Sequence, residues 1–327
     1  MRLHDIIRRH VVPVLCGTFF GCLPLGVLGN PNQARTDGFV TTDDGIKLYY
    51  VEMGAGNDVL VAPMAVYLEP HLLGALSTNR RVIFYDPRNR GRSDAAELDT
   101  VSLDRQVRDL ENLRAELGLE KIALLGWSGL GMEMAVYTLR HPERVTRLVQ
   151  MSPVPPAASI MHDLGDARND QLDRTEVETL DARAKAGEFE DHPEVYCRLV
   201  NALTGPTNFV DTTLVREIPD VCAHENEWPR NLWPYFDVYL ATFGDYDWRA
   251  DLRDLDTPRL IIHGREDGIP LSGAKAWAAG FRQARLMVLS PSGHFPFIEQ
   301  RETVIEAIEV FLQGAWPSGA REVASDP

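Results

Sequence analysis

Cysteine is scarce in this chain, with 4 in 327 residues, at positions 16, 22, 197 and 222. That is too few for a scaffold built on disulfides. No CxxC pair and no His/Cys cluster at ligand spacing indicates a structural zinc site. Basic charge is also short: Lys and Arg number 33 against 48 Asp and Glu, a formal net charge of −15. The basic footprint of a nucleic-acid-binding protein is therefore missing. There is no internal repeat and no low-complexity tract. A hydrophobic share of 44% with a charged share of 25% excludes wholesale disorder and a multi-span membrane protein. The length allows one large domain or two of ordinary size.

Long runs without charge are equally rare. The run that stands out is Val11–Gly29, preceded by Arg2, Arg8 and Arg9. A basic start followed by an apolar run is the order of a secretory signal. Pro13, Pro24 and four glycines in the run argue against a stable membrane-spanning helix. Residues 1–35 are thus expected to be a signal peptide or membrane anchor, outside the catalytic fold. Any membrane association would run through this segment, and a misassigned start codon would instead leave the protein cytoplasmic. Export would also place Cys197 and Cys222 where they can pair; otherwise they are small buried thiols.

The rest alternates. FVTT, IKLYYVEM and DVLVAP are β-like, with Asp43-Asp44-Gly45 as a hairpin signal between the first two. RVIFYD (81–86) and KIALLG (121–126) read as buried strands, as do VTRLVQMS (145–152), PRLIIHG (258–264) and RLMVLS (285–290). Between them lie helical patterns, such as Leu103, Val107, Leu110, Leu113 and Leu117 on one face, stopped by Gly118. A last helix carries Val304, Ile305, Ile308, Phe311 and Leu312. Such alternation implies an α/β fold with a mostly parallel sheet covered on both faces. Residues 36–154 and 251–315 form this core, residues 155–250 an insertion above it, and residues 316–327 a tail.

The central chemical signal is Gly126-Trp127-Ser128-Gly129-Leu130-Gly131, between a buried strand and a helix. A serine on a tight strand-to-helix turn exposes its hydroxyl at the carboxyl edge of the sheet, and the helix N-terminus behind it favours developing negative charge. The stretch resembles the nucleophile elbow of the α/β-hydrolase superfamily, G-x-S-x-G, with Leu130 where the second glycine falls. The elbow must therefore fit a leucine where close packing usually excludes one.

Serine needs a base, and the base needs an orienting carboxylate. Asp267 in HGREDGIP and His294 in PSGHFPFIE follow successive strands at the same sheet edge, in the superfamily's order of nucleophile, acid and histidine. Glu266 is the runner-up acid. His263 ends a buried strand and is expected to pack or hydrogen-bond there. DPRNRGRS (86–93) looks like the superfamily's D-x-R-G-x-G-x-S loop, with Asn89 for its first glycine, a replacement that tolerates positive φ. That loop is read as structural, with neither Arg88 nor Arg92 assigned to catalysis. Where the superfamily has His-Gly, this chain has Pro63-Met64. Pro63 has no N–H, so the resemblance points to the N–H groups of Ala65 and Gly129 as the oxyanion hole.

The insertion resembles the helical cap of proline iminopeptidase relatives. It holds 19 acidic against 8 basic residues and ends in a run of aromatics from Trp228 to Trp248. Those relatives use cap carboxylates for a substrate ammonium, and Glu225 and Glu227 are the candidates here, beside the alternative of a solvated acidic surface. The aromatics serve either as cap core or as pocket wall. The resemblance implies a serine hydrolase acting on a small ester or amide, with no cofactor or metal required. An aminopeptidase and a non-catalytic hydrolase-fold receptor are the competing expectations.

Overall fold

The computed structural model describes residues 35–161, 173–279 and 283–324. Eight strands form one sheet: β1 (Thr36–Thr41), β2 (Lys47–Met53), β3 (Val59–Pro63), β4 (Arg81–Tyr85), β5 (Ile122–Trp127), β6 (Val145–Met151), β7 (Arg259–Gly264) and β8 (Ala284–Leu289). Their order is β1-β2-β4-β3-β5-β6-β7-β8. β2 runs antiparallel to both β1 and β4, and all pairings from β4 to β8 are parallel. Every residue of β5 and β7 is buried. A strand covered on both faces gains from an apolar side chain at each position, hence the continuous runs in these segments.

Helices α1 (Ala65–Leu68), α2 (Leu103–Glu116) and α3 (Gly129–Arg140) connect the earlier strands. Ser102 caps α2 by accepting the Arg105 N–H at 3.1 Å, and Gly118 leaves it at φ 65°, a conformation costly for a side chain with Cβ. The apolar faces of α2 and α3 pack into one core cluster with Ala274 and Trp277. The opposite face of the sheet carries Leu68, Leu72, Val304, Ile308 and Phe311.

Between β6 and β7 the chain leaves the sheet. A bridge between Ala157 and Asp247 closes the stem of this excursion, with Ala158 N–H donating to Tyr246 O at 2.8 Å and Trp248 N–H to Pro156 O at 3.0 Å. Its longer described helices are α4 (Arg174–Lys185), α5 (Pro193–Thr204) and α6 (Pro229–Ala241). A Cys197–Cys222 disulfide, Cα–Cα 5.8 Å, ties α5 to the loop before α6. After β7 come α7 (Leu271–Ala279), and after β8 α8 (Pro296–Glu299) and α9 (Arg301–Leu312).

Two boundaries differ from the sequence reading. Residues 316–324, read as tail, pack on the core: Trp316 packs on Phe311, Ala320 is buried, and Arg321 and Leu286 exchange backbone hydrogen bonds at 2.8 and 2.9 Å. An apolar ring and a free strand edge gave the segment somewhere to go. At the other end Arg35 already belongs to the fold, pairing with Asp37 and Glu69. The rest of the expected targeting segment lies outside the described residues. Among the described residues no helix is long and apolar enough to cross a membrane.

Candidate active site

β5, β7 and β8 each end at the same edge of the sheet, and each is followed by one of the three side chains read from the sequence. The structure brings them together. Ser128 Oγ lies 3.1 Å from His294 Nε2, and His294 Nδ1 lies 3.0 Å from both carboxylate oxygens of Asp267. Burial disfavours the Asp267 anion. The neighbouring His294 and His263 and the Ile269 N–H, donating at 2.9 Å, outweigh that and hold the carboxyl well below the usual carboxylate range.

Ser128 turns the chain from β5 into α3 at φ 58°, ψ −131°, a region that L residues enter only when the surroundings force it. The forcing contact is the close approach of two segments. A Cβ on Gly126 would meet Leu130 O at 2.5 Å and Gly131 Cα at 2.6 Å, while nothing lies within 4 Å of a Cβ at Gly129. The tight packing therefore falls on Gly126 and Gly131. Leu130 has room because its side chain packs towards the cap, with Met64, Val221 and Cys222. The expected conflict at this position does not arise.

Ala65 and Gly129 each stand first in a helix, so their N–H groups have no acceptor within their own helix. Gly129 lines the cavity beside Ser128; Ala65 is fully buried one residue beyond Met64, which also lines it. Met64 takes φ 68°, the left-handed conformation that the usual glycine adopts freely. Asp86, invisible as a site residue in the sequence, fixes this turn: its Oδ1 accepts the Val66 N–H at 2.9 Å and its Oδ2 the Arg92 N–H at 3.1 Å. Asn89 takes φ 60°, and Arg88 is fully buried between Asp109 and Asp44, a structural placement.

Glu266 stays clear of the histidine ring and accepts from Ser290 Oγ at 2.8 Å and Ser292 N–H at 2.9 Å. His263 is buried and pairs with Ile269 O at 2.9 Å. Burial lowers its pKa against the pull of Asp267. Three groups that hold His294 escaped the sequence reading. Trp127 Nε1 donates to His294 O at 2.8 Å; His294 N–H donates to Asn208 O at 2.8 Å; Phe209 stacks on Phe295 with centroids 5.0 Å apart. The last two come from the cap. The one available signal was the density of aromatics in GWSG and GHFPF.

The cavity over Ser128 measures about 230 Å³ and is lined by Met64, Tyr67, Arg90, Trp127, Leu130 and, from α6, Leu232, Tyr235, Phe236 and Tyr239. The cap aromatics therefore divide. Tyr235, Phe236 and Tyr239 are pocket wall. Trp228 and Trp233 line a larger hollow of about 530 Å³ that contains none of the three site residues. Phe243, Tyr246 and Trp248 pack on one another. Neither acidic candidate faces the cavity free. Glu225 is exposed. Glu227 is buried, with Arg90 Nε and Nη2 donating to its two oxygens at 2.9 Å each. Among the described residues no cluster of His, Cys, Asp and Glu could hold a metal ion.

Residues 62–300 match the family model described as alpha/beta hydrolase fold. The chain is 26% identical over 285 residues to a non-heme haloperoxidase from Rhodococcus erythropolis, covering 84% of this chain and 99% of that one. It is 26% identical over 291 residues to a proline iminopeptidase from Heyndrickxia coagulans, covering 85% and 98%. Among solved structures, a proline iminopeptidase from Mycobacterium smegmatis superposes with TM-score 0.64 at 22% identity, covering 85% of this chain and 98% of that one. A meta-cleavage product hydrolase from Pseudomonas fluorescens gives 0.63 at 21%, covering 84% and 97%.

Proposed function

Because the chain belongs to the alpha/beta hydrolase fold family, we propose that it is a serine hydrolase cleaving a small, uncharged ester or amide through a covalent acyl-enzyme. The observation that carries this is the continuous chain from Ser128 Oγ to His294 Nε2 at 3.1 Å and from His294 Nδ1 to Asp267 at 3.0 Å. Ser128 Oγ attacks the carbonyl carbon while His294 Nε2 takes its proton. Asp267, ionised, fixes the imidazole tautomer and stabilises the imidazolium. The Ala65 and Gly129 N–H groups receive the oxyanion, helped by the N-terminus of α3. His294 returns the proton to the leaving group, then activates the water that releases the acid.

The relatives named proline iminopeptidase favour a second reading, an aminopeptidase. Against it stands the state of the cap carboxylates: Glu227 is already saturated by Arg90 and the Gly91 N–H. Glu225 is exposed and does not line the cavity, so a substrate ammonium in this pocket would find neither carboxylate free to receive it. The discriminating assay sets an amino-acid nitrophenyl ester beside its N-acetyl counterpart. We expect kcat/KM for the two to agree within about threefold or to favour the acetylated ester; a preference for the free amine of about tenfold or more, roughly 1.4 kcal/mol, would establish the aminopeptidase. A receptor without activity would leave both esters uncleaved.

We also propose that the protein is exported. The Cys197–Cys222 disulfide supports this, since such bonds persist in oxidising compartments and are rare in the cytosol. Fractionation with a free-thiol count on the isolated protein tests it: reduced Cys197 and Cys222 in the cytosolic fraction would overturn it.

A further inference from the structure

Arg90 is 7% exposed and lines the cavity over Ser128, yet only two of its three guanidinium nitrogens are committed. Nε and Nη2 meet the two oxygens of Glu227. Glu227 in turn accepts the Gly91 N–H at 2.8 Å, and the adjacent Asn226 donates to Ser93 O at 2.7 Å. Phe236 lies under the guanidinium, 5.1 Å from ring centroid to Cζ. The fork is thus fixed in position and orientation from both core and cap, while Nη1 has no hydrogen-bond partner among the described residues. Tyr67 lines the same cavity, close enough for the charges of Arg90 and Glu227 to act on its hydroxyl, and that hydroxyl also has no partner among the described residues. Donors that face a cavity give their hydrogen bond to whatever occupies it.

Resting on the hydrolase reading above, we propose that Arg90 Nη1 and the Tyr67 hydroxyl form a recognition site for an uncharged oxygen acceptor on the substrate, a ketone, ether or hydroxyl oxygen set apart from the scissile carbonyl. Charge balance selects the uncharged class. The Arg90 cation is already neutralised by Glu227 in bidentate contact, and Asp86, which lies close enough to feel Glu227, is itself paired with Arg92. Glu133, which also senses Arg90, is pushed up to about 8 by burial and brings no anion at neutral pH. A substrate carboxylate would give up its hydration and gain no net countercharge. A neutral acceptor needs only the two donors. Glu227 is then a positioning residue that holds the fork, and the surrounding Trp127, Leu130 and Tyr235 set an apolar frame for the rest of the group.

The test uses matched nitrophenyl esters: pentanoate with 4-oxopentanoate, hexanoate with 5-oxohexanoate, and the glutarate monoester as the carboxylate probe. Rates are corrected for alkaline hydrolysis of each ester. In the native enzyme at least one oxo ester should exceed its alkyl partner by about tenfold in kcat/KM, chiefly through KM, and the carboxylate probe should show no advantage. Arg90→Met/Glu227→Met removes both charges together and so leaves no orphaned ion; combined with Tyr67→Phe, it should bring the oxo-to-alkyl ratio to within about twofold of unity. In Glu227→Gln the freed cation should turn the preference towards the carboxylate by about tenfold. Calorimetric binding of the same esters to Ser128→Ala gives the ratio without turnover. Alkyl and oxo esters cleaved equally by the native enzyme would overturn the inference and leave the hydrolase intact, as would a native preference for the carboxylate. If no ester is cleaved, the hydrolase reading fails, and the binding ratio alone then upholds or removes the recognition site.

Discussion

The sheet edge and the cap meet over the same cavity but are built on different principles. At the edge, β5, β7 and β8 end side by side or one strand apart, and short loops carry Ser128, Asp267 and His294 from those ends, so backbone topology alone nearly converges them. The cap reaches the site through side chains whose partners are distant in sequence. Glu227 meets Arg90 across 137 positions, Tyr239 meets Glu133 across 106, and Asn208 O holds the His294 N–H. The edge converges its side chains through the fold itself; the cap closes the cavity wall and hydrogen-bonds the loop that carries His294.

That division predicts unequal responses to substitution. The largest effect belongs to the edge: Ser128→Ala and His294→Ala should each lower kcat by at least about 10³-fold, some 4 kcal/mol of barrier, with the circular-dichroism spectrum unchanged. Asp267→Asn should be severely impaired and Glu266→Gln far milder; the reverse order would mean that the wrong carboxylate orients His294. In the cap, Arg90→Met alone leaves Glu227 buried without its partner and should cost about 3–5 kcal/mol in urea denaturation, whereas Arg90→Met/Glu227→Met should recover most of it. Cys197→Ser/Cys222→Ser should destabilise by about 3 kcal/mol, as expected for closure of a loop of this length, without abolishing turnover. A collapse of turnover in a folded protein would show that the edge depends on the cap more deeply than its own geometry indicates.

The smallest effect is a pH dependence where the two regions join. Glu133 on α3 accepts from Tyr239 on α6 at 2.6 Å, and burial pushes its carboxyl from 4.5 up to about 8. The folded protein thus keeps a proton that the unfolded chain releases near pH 4.5. The resulting stabilisation is fully present below that pH and is lost as pH rises through about 8. Glu133→Gln should flatten this dependence and raise Tm at pH 8 by at least about 3 °C, with little difference near pH 4.5. Parallel curves for both proteins would show that Glu133 does not carry a proton in the fold.

The same division explains what could be read in advance. The strands, the elbow and the loops bearing Asp267 and His294 were legible because each lies in a short window whose apolar pattern and punctuation fix its conformation. Leu130 looked wrong only because the cap surface that accepts it was out of sight. Glu227 stands out in the sequence by its charge, but its partner does not: Arg90 sits in a loop that reads as structural, and only burial of the cap against that loop brings the two together. Trp316 and Ala320 read as tail in the sequence for a related reason, since one ring and one small residue make no periodic pattern. Periodicity reports local structure, and these contacts are set by the packing of distant segments.

An activated Ser128 nucleophile underlies the whole proposed reaction. Treating the full-length protein with a fluorophosphonate and mapping the adduct by peptide mass spectrometry measures that directly. One equivalent of label on Ser128, absent from Ser128→Ala and strongly slowed in His294→Ala, is the predicted result. Label on another residue, or none on a folded protein that still cleaves esters, would contradict it.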